Sequence, residues 1–158
     1  MKKFVKESLN EWMVEDPQVD GNGRDEHKKG FFVDIEEETI QNKKFRKVLY
    51  TGHHLQLVLM TLQVKEDIGM EVHPDIDQFF RFEEGRGKFI INGNEYKVTD
   101  GDSIIVPAGS KHNVINTGNS PLKMYTIYAP PHHQDGIEYT TKKEAEESNE
   151  EFDGITTE

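Results

Sequence analysis

The sequence predicts an all-β domain, an antiparallel barrel that is closed or built as a sandwich. Short runs rich in β-branched and aromatic residues follow one another through most of the chain. Glycine-containing turns, such as Asn92-Gly93-Asn94, separate these runs, and this alternation is typical of antiparallel barrels. Helical periodicity is confined to the first residues, and 158 residues suit a single domain.

Composition narrows the class of protein. The formal net charge of −11 repels phosphate backbones, so we expect no nucleic-acid partner. The absence of cysteine leaves neither disulfides nor thiolate metal sites. The longest apolar run, residues 55–64, is interrupted by Gln56, Thr61 and Gln63, so no segment reaches the length of a membrane span. We therefore expect a soluble, cytoplasmic protein without a membrane partner.

Residues 1–30 are predicted to form an N-terminal extension. Four apolar residues recur at the spacing of one helical face: Val5, Leu9, Trp12 and Met13. They predict a short amphipathic helix over residues 2–13. So short a helix is marginal alone in water, so it needs the domain, a second copy or another partner to dock on. Residues 16–30 combine charges with proline and glycine, which predicts a linker.

The barrel is predicted over residues 31–130. Residues 31–35 are strand-like, and residues 36–44 form a polar turn region. The remaining strands are predicted at 45–50, 55–64, 70–73, 78–82, 87–91, 95–98, 103–106, 113–116 and 122–128. Residues 131–158 form a polar C-terminal tail, whose glutamate-rich end at 142–158 predicts a loose helix or disorder.

Four polar side chains are placed where one metal ion could hold them. Glu71 and His73 are two residues apart, so a strand presents both on one face. Gln78 opens the next strand, and His112 follows a turn that could tip its imidazole back into the barrel. Two histidines and a carboxylate form a facial set for Fe(II) and related ions, and a Gln oxygen adds a fourth ligand. Asp77 rivals Gln78 as a ligand but lies on the other face of its strand.

Two sequence patterns extend this constellation. Five residues fit the pattern G-x5-P-x-G-x2-H-x3-N: Gly101, Pro107, Gly109, His112 and Asn116. A second pattern, G-x5-H-x-H-x3,4-E-x6-G, is met at its later positions by His73 and Gly85, with Gln78 in the place of Glu and Glu71 in the place of the first His. Its leading Gly is out of place, since only Met70 separates Gly69 from Glu71. With these motifs, residues 45–129 resemble the cupin superfamily, and specifically a small single-domain cupin of the conserved-barrel type.

The resemblance implies a double-stranded β-helix, or jelly-roll, barrel that holds a divalent transition metal. The implied ligands are Glu71, His73, Gln78 and His112, and the ion is Mn, Fe, Ni or Zn. A homodimer is implied, and the segment 31–50 could supply its added strands. The metal would act as a Lewis acid on a small polar, carbohydrate-derived substrate, with Glu71 and His112 as catalytic residues of an isomerase.

Two other functions remain open. The first is an Fe(II) dioxygenase, in which Glu71, His73 and His112 form the facial triad. The second is a non-catalytic module that binds a small molecule.

Other polar and aromatic residues are weaker candidates. His53 and His54 are adjacent, so at most one faces inward, and an exposed turn is favoured over a substrate contact. The loop that carries His132 and His133 is expected to be exposed, with a cover over the barrel mouth as the alternative. Arg81 should point away from Gln78. Tyr50 and Tyr125 could line the interior, but their side of the sheet is not fixed by the sequence.

Overall fold

A computed structural model describes residues 27–158. The chain divides into two compact units, residues 1–31 with Glu158 and residues 32–157. Within the first unit, the carboxylate of Glu158 accepts the backbone N–H groups of Lys29 and Gly30 at 2.7 and 3.0 Å. The helix predicted over residues 2–13 and most of the predicted linker lie outside the described residues.

The second unit is built from two antiparallel sheets. Its strands are β1 (Arg46–Thr51), β2 (Gln56–Leu62), β3 (Asp77–Glu84), β4 (Arg86–Ile91), β5 (Asn94–Thr99), β6 (Ser103–Val106), β7 (His112–Asn116), β8 (Leu122–Ala129) and β9 (Glu138–Tyr139). The larger sheet has the order β6-β3-β8-β2-β1-β9, and the smaller has the order β5-β4-β7. The predicted all-β antiparallel architecture is confirmed.

The core lies between the inner faces of the two sheets. From the larger sheet come Phe80 and Phe82 of β3, and Phe89 comes from β4 of the smaller one; all three are buried. Phe80 meets Phe89 edge to face, with ring centroids 4.9 Å apart, which is a favoured aromatic geometry. Because side chains alternate along a strand, Gln78 shares the inner face of β3, whereas Asp77 does not.

Gly85 joins β3 to β4 where no other residue fits well. Its φ is +92°, and a Cβ there would lie 2.6 Å from the carbonyl oxygen of Pro121. A side chain would therefore meet both an unfavourable backbone conformation and a backbone clash. This close approach brings the start of β8 against the end of β3, which sets the register of the large sheet.

The strand predicted over residues 70–73 is wrong in extent. This part of the chain pairs with β7 through two isolated β-bridges, Asp67 with Ile115 and Glu71 with His112. Glu71 and His112 exchange both backbone hydrogen bonds at 2.9 Å. The segment is thus an irregular neighbour of β7, and its one bridge near the site sets Glu71 opposite His112.

Residues 31–44 differ from the prediction. No strand forms over 31–35, and helix α1 (Ile35–Gln41) occupies much of the predicted turn region. The Asp34 carboxylate accepts the N–H of Glu37 at 3.1 Å, and three glutamates fill the first turn. An N-cap and acidic residues near a helix N-terminus are both stabilising, which explains the helix.

The residues after Pro131 pack on the barrel. β9 pairs with the edge strand β1, where Tyr139 lies opposite Arg46. Helix α2 (Lys142–Glu147) begins at Thr141 with a capping box. The N–H of Thr157 then donates to the carbonyl of Thr51 at 2.9 Å. The predicted loose helix is short and capped, while the domain boundaries at residues 30 and 130 stay predictions.

Neither helix in residues 27–158 has the length and apolar character needed to cross a membrane.

Candidate metal centre

Glu71, His73 and His112 meet because of two backbone links. The bridge between Glu71 and His112 places these two residues side by side. Two residues further on, the carbonyl of His73 accepts the N–H of Gly109 at 2.8 Å. That bond ties the loop before β7 to the segment after Glu71, so the loop presents His112 towards His73.

The ligand atoms of these three side chains lie almost close enough together to bind one metal ion. Oε2 of Glu71 lies 3.3 Å from Nε2 of His73 and 4.0 Å from Nε2 of His112. One ligand atom from each residue lies within 4.8 Å of the other two. Ligand atoms about 2.1 Å from a common ion are at most about 4.2 Å apart. Small side-chain adjustments would therefore let one ion contact all three.

Hydrogen bonds on the far side of the ligands set which atoms face the cluster. Nδ1 of His112 lies 3.0 Å from the carbonyl oxygen of Ser110, so Nδ1 donates its proton and Nε2 keeps a lone pair. Nε2 of Gln78 donates to the Thr126 hydroxyl at 2.9 Å, which fixes the amide and leaves Oε1 as a free acceptor. Such outer partners are usual for metal-binding histidines.

Three of the acceptor atoms are buried without a hydrogen bond. Within residues 27–158, Nε2 of His73, Nε2 of His112 and Oε1 of Gln78 have no hydrogen-bond partner. Buried polar atoms are rarely left unpaired in native proteins. Their lone pairs have the chemistry of metal ligands, so the residues present fit a divalent ion.

The protonation states also fit. Burial favours a higher pKa for Glu71, but the close contact with the His73 imidazole and the charge of Arg46 outweigh it and lower the pKa. Burial lowers the pKa of His112, against the hydrogen bond to Ser110. At neutral pH the cluster thus holds an ionised carboxylate and neutral imidazole at His112, the forms that bind metals.

Comparisons with known proteins agree with this architecture. The family model for the cupin domain matches residues 58–128. The crystal structure of BH2720 from Bacillus halodurans is 49% identical in sequence and superposes with a TM-score of 0.75. The match covers 78% of this chain and 98% of that one. This chain belongs to the cupin superfamily.

Two further proteins are similar to this cupin. The uncharacterized protein YrkC of Bacillus subtilis is 50% identical over 125 residues, which are 74% of this chain and 66% of YrkC. An uncharacterized Klebsiella pneumoniae protein with a double-stranded β-helix domain is 20% identical, with a TM-score of 0.55 over 65% of this chain and 91% of that one. The Klebsiella likeness shows the fold alone, the double-stranded β-helix that the motifs imply.

The loop after β8 of this cupin is wrongly predicted as exposed. His133 is only 6% exposed, and the His132 ring lies 4.5 Å from that of His73. The Gln56 side chain accepts the N–H groups of both residues, at 3.2 and 2.9 Å, and donates to the His133 carbonyl at 2.7 Å. The polar Gln56 at the start of the otherwise apolar strand β2 was the available sequence signal. The loop therefore covers the barrel interior next to the cluster.

A chain of hydrogen bonds runs from this loop into the barrel of the cupin. Nδ1 of His133 lies 2.7 Å from Glu150 Oε1, and its Nε2 lies 3.3 Å from the Tyr128 hydroxyl. Burial raises the pKa of Tyr128. Burial, with the neighbouring His133 and His73, lowers the pKa of His132 to about 4. Tyr128 stays protonated and His132 stays neutral at physiological pH.

The remaining sequence candidates lie away from the cluster. The Asp77 carboxylate accepts the N–H of Ala108 at 2.8 Å and is exposed, so it supports the loop before β7 and is no rival to Gln78. Arg81 pairs with Glu83 at 2.9 Å and points away, as predicted. His53 and His54 are exposed. The Tyr125 ring lies 6.2 Å from that of Phe79 on the outer face of the sheet, and Tyr50 is half-buried.

Proposed function

We propose that this cupin is a metal-dependent enzyme that isomerises a small polar substrate. One divalent transition metal, Mn, Fe, Ni or Zn, would be held by Glu71, His73 and His112, with Gln78 as fourth ligand. The observation that carries the proposal is the meeting of one ionised carboxylate with two buried imidazole nitrogens that have no hydrogen bond. A bound ion would supply a Lewis acid for a carbonyl or hydroxyl oxygen of the substrate.

Side chains of the protein would carry out the proton transfer to and from the substrate. Oε2 of Glu71 lies nearest to both imidazoles, which leaves Oε1 to exchange a proton with substrate. His112 orients Glu71 through the shared backbone bridge. His132 is a second proton acceptor, since its ring lies 4.5 Å from that of His73 and its lowered pKa keeps it neutral.

Aromatic side chains favour a small substrate with at least one flat or apolar face. The Tyr128 ring stacks on that of His132, with centroids 5.5 Å apart, and the Phe89 ring is nearly parallel to that of His112. These rings exclude water around the cluster, which strengthens electrostatic effects there. That the substrate derives from a carbohydrate rests on Gln78, because the resemblance includes sugar-converting cupins with Gln in the ligand set.

Elemental analysis of the purified protein tests the metal. We expect about one divalent ion per chain in the wild type and its loss in His112→Ala, since that change removes a ligand. His54→Ala removes an exposed imidazole and should keep the ion. A folded His112→Ala variant that retains full metal would refute the ligand assignment. A wild type without metal after loading would favour a non-catalytic binding module.

An Fe(II) dioxygenase is the second candidate function. The two histidines and one carboxylate within 4.8 Å of one another are the donor set that non-haem iron oxygenases use. An oxygen electrode separates the two reactions on any substrate that the enzyme converts. An isomerase turns over equally in air and under nitrogen, whereas a dioxygenase consumes O₂ and stops without it. The homodimer remains a proposal alongside either function.

A further inference from the structure

Arg46 is a buried cation that faces the barrel interior. It opens β1 opposite Met60, which itself lies opposite Met124. Both methionines belong to the core, and side chains on paired positions of neighbouring strands share a face. Arg46 therefore points inward, and only 7% of it is exposed.

The charge of Arg46 lacks a direct counter-ion in the described part of the chain. Its Nε is buried without a hydrogen-bond partner. The guanidinium carbon lies 5.3 Å from the centroid of the Phe45 ring. A buried charge without an ion pair is costly, so the free donor is a feature that a ligand would satisfy.

Arg46 and the candidate metal centre both face the interior between the two sheets, where the His112 ring lies 6.1 Å from that of Phe80. The positive charge of Arg46 helps to lower the pKa of Glu71, and it acts in the same direction on Tyr128, His133 and Glu150. These groups come from the segment before β3, from β8 and from the covering C-terminal residues. The charge of the guanidinium therefore acts on groups that line the site.

We propose that Arg46 forms an oxyanion subsite beside the metal centre, so that the substrate carries a carboxylate or phosphate group. The inference rests on the proposed function, because it gives that site a substrate class. A guanidinium offers a planar fork of donors that matches either group. The oxyanion would be held by Arg46, while a hydroxyl or carbonyl oxygen of the same molecule faces the ligand cluster.

Calorimetric titration tests the subsite with three probes: glycolate, inorganic phosphate and glycolamide, the neutral analogue of glycolate. Wild-type protein should bind glycolate or phosphate and bind glycolamide at least about 10-fold more weakly. Whichever anion binds more tightly identifies the oxyanion class.

Three variants isolate the contribution of Arg46. Arg46→Met keeps the apolar stem and should lose about 10-fold or more in anion affinity. Arg46→Lys keeps the charge without the fork and should lose less. Lys47→Met is the matched control, because the neighbouring residue points out of the barrel, with its ammonium 3.9 Å from Glu138; its affinity should stay within about twofold.

Each outcome is decisive. Equal anion binding by folded Arg46→Met and wild type, or equal binding of glycolate and glycolamide by wild type, overturns the subsite and leaves Arg46 as a packing residue. The second comparison needs no variant, so it stands if Arg46→Met fails to fold. Metal content is measured on the same samples. Arg46-dependent anion binding without metal would refute the proposed function and retain the subsite.

Discussion

Hydrogen bonds made outside the candidate metal centre decide which atoms its side chains present to it. The carbonyl of Ser110 holds the Nδ1 proton of His112, and the hydroxyl of Thr126 holds the amide of Gln78. Each bond leaves an acceptor atom free on the inner side. The cost of these free acceptors in the metal-free protein, about 1–3 kcal/mol for a buried unpaired group, is relieved when a ligand binds.

Gln78→Leu separates a ligand role from a structural one. The change removes the unpaired Oε1 together with the hydrogen bond to Thr126, and these two effects offset each other in the metal-free protein. We expect its melting temperature to move by no more than about 4 °C, while metal affinity falls by at least about 10-fold. Calorimetric metal titration and thermal melts measure both.

Gln63→Leu is the control for this change, because Gln63 is exposed in the turn after β2. It should alter neither quantity. A large loss of stability in metal-free Gln78→Leu, with unchanged metal affinity, would make Gln78 a structural residue.

Among the elements, α1 is held to the outer face of the large sheet by a buried lysine. The Lys123 ammonium donates to the carbonyls of Ile40 and Asn42, the latter at 2.9 Å. The Asn42 carbonyl also accepts the Thr61 hydroxyl at 2.9 Å. A cation at the C-terminal end of a helix satisfies its last carbonyls and complements its dipole.

Lys123→Met should therefore destabilise the protein. The methionine preserves the apolar stem but leaves buried carbonyls with one partner fewer, which costs about 1–3 kcal/mol. Urea unfolding followed by fluorescence measures the loss. Lys143→Met, at an exposed position of α2, should change stability by less than about 0.5 kcal/mol. Equal effects of the two changes would show that Lys123 does not anchor α1.

Elements formed by local interactions could be predicted from the sequence, whereas those that depend on contacts between distant residues could not. The strand predicted at 103–106 matches β6 in full, because alternation and glycine turns are local signals. Helix α1 was missed because seven residues show too little helical period. The covering loop was missed because its order comes from Gln56, which is 77 residues from His133 in sequence.

The candidate site likewise contains residues that the sequence predicts and residues that only the tertiary structure brings there. Motif spacing named Glu71, His73 and His112, and the structure brings these three together. It could not reveal Arg46, and an exposed loop was favoured for His132, since arginines and loop histidines usually lie at the surface. Only the register of β1 with β2 and the folding back of the C-terminal residues bring them inside.

At the scale of the whole molecule, several titratable groups are buried in states that acid disrupts. Three histidines have lowered pKa values, chiefly through burial: His112, His132 and His133. The carboxylates of Glu71 and Glu150 also have lowered pKa values, because close polar contacts and positive charges outweigh the effect of burial. The folded protein therefore binds fewer protons than the unfolded chain in mildly acidic solution.

This difference predicts that the metal-free protein loses stability as the pH falls. The stabilisation is fully present above the ordinary histidine pKa of 6.5 and is lost progressively towards the folded value of about 4 for His132, because the unfolded chain takes up protons first. The carboxylates extend the loss below their ordinary pKa of 4.5. Urea midpoints measured in EDTA from neutral pH downwards should fall steadily. His132→Asn should make that fall less steep, and the control His53→Asn, at an exposed position, should leave it unchanged. A wild-type midpoint that stays constant from pH 6.5 to 4.5 would contradict the buried, neutral state of these imidazoles.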